Sequence, residues 1–258
     1  MTTTLIQPAP PDHPSIVVLN PRNNGPRHSS NGGFAAGTFA QQVGGTASVR
    51  LMAPPPLGTA LTVDVDDDGV ATVLAGARTI ARAQRVTPFV LDPPVVPSME
   101  VVEAASLLYP GRHTRNALSD CIVCGPDRAD GMHVTPGPLS IPGQDLLVAP
   151  FVPHEQEAVN GLVRPEAVWG ALDCPSYPAA LMRKRRIAFL GELTAHRRRE
   201  IRVGEELVVV GWTIDAGTRS HRTATVIIDA DDEVVASAHA TWVELKHQAL
   251  VRFLGRFA

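Results

Sequence analysis

The sequence predicts an α+β protein made of two similar halves, each pairing one helix with a curled antiparallel sheet. Three observations predict it. Helix signals are few, runs rich in Val, Thr and Ala are many, and those runs recur in the same order across the 258 residues. The first helix signal lies at 31–43, where Asn31 can cap and an Ala-rich segment follows. Strand-like runs follow at 46–52, 60–65, 70–77 and 79–86, with Asp66-Asp67-Asp68-Gly69 as a hairpin turn. The second helix signal is 165–172, with Pro165 at the first helical position and Glu166 in the first turn. Strands follow at 187–194, 206–214, 220–228 and 234–245, with an acidic turn at 229–233. A third helix is expected at 246–257, where Leu250, Val251, Leu254 and Phe257 share helical spacing.

The two series repeat each other. Thr46-Ala47 leads over a strand to Leu57-Gly58, and Thr194-Ala195 leads over a strand to Val203-Gly204; an acidic hairpin comes later in each. One helix covers one face of a sheet, so the two copies are expected to pack side by side. Residues 88–143, rich in Pro and Gly, read as the connection between copies and hold Cys121-x-x-Cys124.

Composition narrows the function classes. At 44% hydrophobic and 19% charged residues the chain is expected to fold rather than stay disordered. No apolar run nears the roughly 18 residues of a membrane span. A net charge of −3 disfavours a general nucleic-acid binder. Three cysteines do not make a disulfide scaffold, and the polar, Pro-rich start carries no signal-peptide pattern, so a cytoplasmic location is expected.

Local motifs add a resemblance. Asn31-Gly32-Gly33-Phe34-Ala35-Ala36-Gly37 resembles the Gly-Gly start of the central helix in hotdog acyl-thioesterases. Cys121-Ile122-Val123-Cys124-Gly125-Pro126-Asp127, followed by Gly131-Met132-His133, resembles the segment leading into the hotdog of phenylacetate-type thioesterases. The segments 224–226 and 238–243 resemble the closing strands of that group. The resemblance implies a double hotdog: a flexible arm at 1–15, an N-terminal hotdog at 16–110, and a C-terminal hotdog at 111–258 that includes the connection and the last helix. It also implies an acyl-thioesterase of lipid metabolism acting on acyl-coenzyme A or an acyl-carrier-protein thioester. No cofactor, metal, nucleic acid or membrane insertion is expected, and the assembly would be a homodimer of double hotdogs.

A thioester hydrolase needs fixed N–H donors where oxyanion charge develops, and a carboxylate to activate water or attack. Gly32 and Gly33, at a helix N-terminus, fit the donor role, with Asn31 beside them. The first helix has no acid; Gln41 and Gln42 stand near its end. The second carries Asp173 near its C-terminus, where the dipole disfavours the anion and raises its pKa. The resemblance places the site between the two hotdogs, so Gly32 and Gly33 are expected to meet Asp173. The partner site would set Asn160-Gly161 against Gln41 or Gln42 and lack a base. Glu166 is the reserve acid, and Trp169 could line the acyl channel. Arg183-Lys184-Arg185-Arg186 and Arg197-Arg198-Arg199 with Arg202 concentrate positive charge; Arg185 and Arg186 are candidates for coenzyme phosphates. The alternative is a solvated face balanced by Glu192, Glu200 and Glu205.

Other readings are weaker. A double hotdog dehydratase would use His28 with Asp173, but Gly37 stands where its motif has Pro. A non-catalytic thioester-binding or scaffold protein would also explain a half that lacks its acid. Cys121 and Cys124 with His133 could bind zinc, yet a structural site wants four ligands and only Cys174 remains. Asp64, Asp66, Asp68 and Gly69 imitate a calcium loop whose twelfth position is Ala75, so a hairpin turn is expected. No Gly-x-Ser-x-Gly and no dinucleotide fingerprint occurs.

Overall fold

The computed structural model describes residues 14–112 and 118–246. In the first part, β1 (Ser15–Val18), α1 (Gly32–Ala40), β2 (Ala47–Leu51), β3 (Ala60–Val65), β4 (Ala71–Ala75) and β5 (Arg78–Arg85) follow one another. Then come α2 (Met99–Ser106), β6 (Gly137–Ile141), β7 (Gln144–Phe151), the short β8 (Ala158–Val159) and β9 (Leu162–Val163), α3 (Pro165–Asp173) and α4 (Ala179–Arg183). The chain closes with β10 (Ala188–Arg197), β11 (Leu207–Ala216), β12 (Ser220–Ile228) and β13 (Val234–Glu244).

Eleven of these strands form one sheet, in the order β1-β3-β4-β5-β2-β10-β13-β12-β11-β7-β6. The first five lie within residues 15–85 and the other six within 137–244. They meet at a single antiparallel seam, β2 on β10, with Ala47 opposite Ala195 and Val49 opposite Leu193. Side chains reinforce it: Ser48 Oγ donates to Glu192 Oε1 at 3.0 Å and accepts from Thr194 Oγ1 at 2.8 Å.

Both longer core helices lie on the same face. Helix α1 packs on β2, β5 and β10, and α3 packs on β10, β12 and β13 and against α1. One apolar core spans that face, from Phe34, Phe39 and Leu61 to Leu193, Ile201 and Val209. Strands at the far end are buried on both faces. In β11, Leu207 and Val209 point into this core, while Val208 and Val210 join a second one under α2 with Val102, Ala105, Leu146 and Val226. This follows the period-two alternation of a strand, and explains why β11 reads as an unbroken apolar run.

The predicted strands and the first two helices occur within a few residues of their expected limits. The segment 88–143 differs: it is not only a connection. Ser98 caps α2 by accepting from Val101 N–H, and β6 and β7 form a hairpin around Gly143, whose φ is +80°. Pro138 lies in β6, the outermost strand, where a missing N–H costs little. Strand β1 is a further addition, pairing with β3. The expected helix at 246–257 and nearly all of the arm at 1–15 lie outside the described residues; Ser15 already belongs to β1. No helix among the described residues is long and apolar enough to cross a membrane.

Candidate active site

Glycines bring α1 and α3 together. A Cβ on Gly33 would stand 2.5 Å from the Trp169 carbonyl oxygen and 2.6 Å from Asp173 Cβ; one on Gly37 would stand 2.6 Å from Glu166 Cα. A Cβ on Gly170 would meet the Phe34 ring at 2.7 Å. The contacts run backward along α3 as they run forward along α1, so the helices are antiparallel. Each N-terminus therefore meets the other's C-terminus.

At the start of α1, Asn31 caps by accepting from Phe34 N–H at 3.0 Å. The Gly33 N–H donates to Asp173 Oδ2 at 2.9 Å. Asp173 is only 3% exposed, and its Oδ1 is buried without a hydrogen-bond partner among the described residues. Burial pushes the carboxyl pKa up to about 7; the Gly33 N–H and the Asn31 side chain oppose the rise, and Cys121 adds to it. The Gly32 N–H is left without a partner among the described residues. Leu190 packs beside Gly32, and a Cβ on Gly32 would meet Leu190 Cδ2 at 2.9 Å.

Gly32 and Gly33 thus lie beside Asp173, as expected, though only Gly33 bonds it. The close approach that Gly33 permits is taken by α3, and its N–H already holds the acid. Trp169 is 7% exposed and sits in the main core against Gly37.

The other end of the helix pair corrects the expected partner site. Asn160 and Gly161 do not start α3; with φ of +52° and +75° they turn the chain between β8 and β9. Helix α3 begins after Arg164, and Gln41 Nε2 reaches Glu166 Oε2 at 3.1 Å. Gln42 instead accepts from the Ser15 hydroxyl.

The basic runs are largely paired. Arg183 bonds Asp145, Arg186 bonds Glu244, Arg197 bonds Glu200, and Arg199 bonds Glu205 and Asp229. Glu200 and Glu205 balance the charge as expected, while Glu192 turns to Ser48. Arg185 is exposed, with φ of +50°. Lys184 and Arg186 line a cleft of about 470 Å³ with His221 and Glu244, and Asp173 is not among its lining residues. His28 is exposed in a turn and makes no hydrogen bond to Asp173. Asp66 Oδ1 accepts from the backbone N–H groups of Asp68 and Val70, as a hairpin turn requires.

Two groupings add to the sequence reading: one is new, and in the other Cys174, rather than His133, joins Cys121 and Cys124. His221 Nε2 lies 3.1 Å from Glu244 Oε1, whose other oxygen takes Arg186. Burial raises the Glu244 carboxyl pKa, but Arg186 and His221 outweigh it and hold it below the ordinary range. The sulfurs of Cys121, Cys124 and Cys174 all lie within 4.8 Å of one another, and His133 is not of the group. The Cys121-x-x-Cys124 spacing is local, but nothing local announces that Cys174 joins it or that His221 meets Glu244, since those partners come from distant segments.

Against solved structures, the chain is similar to a conserved hot dog-fold protein of unknown function from Alicyclobacillus acidocaldarius, with a TM-score of 0.59 at 11% identity, covering 91% of this chain and 94% of that one. It is similar to the tesB protein of Mycobacterium avium subspecies paratuberculosis, with a TM-score of 0.57 at 11% identity and coverage of 89% and 92%. It is also similar to an acyl-CoA thioesterase II, TesB2, from Mycobacterium marinum, with a TM-score of 0.52 at 14% identity and coverage of 84% and 91%. No protein-family model and no curated protein matches the sequence. At these identities the likeness is one of fold, and the fold is the α+β hotdog.

Proposed function

We propose that the chain is a tandem hotdog acyl-thioesterase, with units at 16–110 and 111–258 and one composite site where α1 meets α3. The observation that carries this reading is the Asp173 carboxylate held on the glycine-led tip of α1, one oxygen fixed by Gly33 N–H at 2.9 Å and the other buried and unpartnered. Gly33 positions the acid. Gly32 supplies the N–H for the developing oxyanion, helped by the positive end of the α1 dipole. Water attacks the thioester carbonyl carbon and gives its proton to Asp173 Oδ1. The C–S bond then breaks, and the leaving thiolate takes that proton, giving acid and free thiol. Leu190 packs beside Gly32 and would have to give way to a bulky acyl group there.

The structural relatives named as thioesterases favour an acyl-coenzyme A or acyl-carrier-protein thioester as substrate. Arg186 and exposed Arg185 are the cations for coenzyme phosphates, and Arg186 would share them with Glu244. Trp169 supports the last turn of α3 rather than forming an open channel wall. A homodimer in a reducing cytoplasm is the assembly and setting of this reading. A second reading, thioester binding without turnover, is favoured by the 3% exposure of Asp173.

A panel of acyl-coenzyme A substrates separates them. Release of free thiol, lost in Asp173→Asn with the fold kept, is the expected result. Saturable binding with no release from any substrate supports the non-catalytic reading. Neither binding nor release removes both.

A further inference from the structure

The chain's three cysteines come from two distant segments and converge. Cys121 and Cys124 lie in the loop before β6, and Cys174 immediately follows α3. Their sulfurs lie within 4.8 Å of one another, and all three thiols are free. Four thiolates or three thiolates and one further ligand around zinc at about 2.3 Å set sulfurs about 3.8 Å apart, so a side-chain adjustment of about 1 Å suffices.

The surroundings favour a thiolate at Cys121, while hydrogen bonding to neighbouring sulfurs and burial push the Cys124 and Cys174 thiols up in the absence of a cation. The 121–124 turn is tight: Gly125 N–H donates to Cys121 O at 2.9 Å, and a Cβ there would stand 2.5 Å from that oxygen. The backbone N–H groups of Val123 and Cys124 point at Cys121 Sγ. The Asn31 amide Nδ2 lies 3.7 Å from Cys121 Sγ and 3.8 Å from Cys174 Sγ. Because Asn31 also caps α1, the sulfurs lie near the positive end of that helix. The turn itself is held in place by Ile122 N–H donating to Asn24 O and by Arg128, which bonds Asn24 and the Asp120 carbonyl. Backbone donors converging on a sulfur stabilise it as an anion, and soft thiolates select soft, thiophilic cations.

We propose that Cys121, Cys124 and Cys174 form a three-thiolate site for a zinc-class ion, tying the 121–124 turn to the end of α3. Each thiol releases its proton to solvent on binding, so the site with Zn²⁺ carries one net negative charge. The α1 terminus and the Asn31 amide offset that charge. The fourth position goes to water or another small ligand on the side of Cys174, the partly exposed member of the three. The site does not depend on the thioesterase reading, and its test needs no catalytic assay.

The experiment is a Co²⁺ titration of the full-length protein, fully reduced and stripped of metal by a chelator. The expected result is uptake of one equivalent with an intense near-ultraviolet thiolate-to-cobalt band, displaced by Zn²⁺. Zinc should raise the melting temperature of the wild type, and Cys121→Ser and Cys174→Ser should each lose the stoichiometric band and that rise. The wild-type titration stands even where a variant fails to fold. Absence of the charge-transfer band in folded, reduced protein overturns the proposal. So does a Cys121–Cys124 disulfide in the purified protein whose reduction restores no metal uptake, which would make the pair a redox element instead.

Discussion

At one end of the α1–α3 pair, the first turn of α1 meets the last turn of α3 through Gly33 and Asp173; at the other, the last turn of α1 meets the first turn of α3 through Gln41 and Glu166. Both contacts join one donor to one carboxylate across antiparallel helices. They differ in burial and in what surrounds the acid. Asp173 is nearly sealed, with an orphaned oxygen, whereas the Glu166 side chain is 17% exposed and also faces Arg164 at 3.5 Å. Burying a carboxyl with one oxygen lacking a hydrogen bond is costly, and groups perturbed in this way cluster at functional sites. The helix pair thus carries one sealed end, at Asp173, and one more open end, at Glu166.

The largest expected effect that would break this comparison is catalytic. Asp173→Asn should lower thiol release by about 10²–10⁴-fold, measured as the rate with the best acyl-coenzyme A substrate. A smaller change would put the base elsewhere.

Stability against pH sharpens the same contrast. The Asp173 carboxyl titrates at about 7 in the folded chain and near 3.8 otherwise. Between these values the folded chain holds a proton that the unfolded chain has released. Stability therefore falls as pH rises across that window and levels off above it, by at most about 4 kcal/mol. In metal-free protein, Asp173→Asn should remove that fall and melt higher than the wild type at pH above 7; denaturant curves across the pH series give the difference.

The glycines rank next. Gly33→Ala meets backbone and Asp173 Cβ, whereas Gly32→Ala meets a Leu190 methyl that can rotate. The first should cost about 3 kcal/mol and the second about 1 kcal/mol in chemical denaturation. Equal costs would mean that the two helices are not held as close as described. Last, Glu166→Gln should change thiol release by less than about twofold and stability by about 0.5 kcal/mol or less. A large loss there would restore Glu166 as an active acid.

Much of the fold was legible because it rests on local patterns. Alternation placed β3 and β12 at their observed limits, Asn31 marked the start of α1, and Pro165 with Glu166 marked that of α3. The failures have a common origin. Proline at 136–142 reads as a connection, although an outermost strand tolerates it, and whether a strand is outermost is a tertiary fact. Asn160-Gly161 imitated a helix start because positive-φ turn residues and glycine-led helix tips use the same residue types. That Gly32 and Gly33 lie beside Asp173 is an expectation the structure matches in position, and the hydrogen bond between Gly33 and Asp173 was not legible.

By itself the sequence determined which segments become helix or strand, since capping, turn chemistry and apolar alternation act over a few residues. It also fixed that acid is available at the end of one helix and missing from the other. Only the tertiary structure decided that Gly33 and Asp173, 140 positions apart, share a hydrogen bond, and that three scattered thiols face one another. The reason is physical: burial and contact between distant segments are set by how helices and sheet close-pack, and spacing along the chain carries no measure of that.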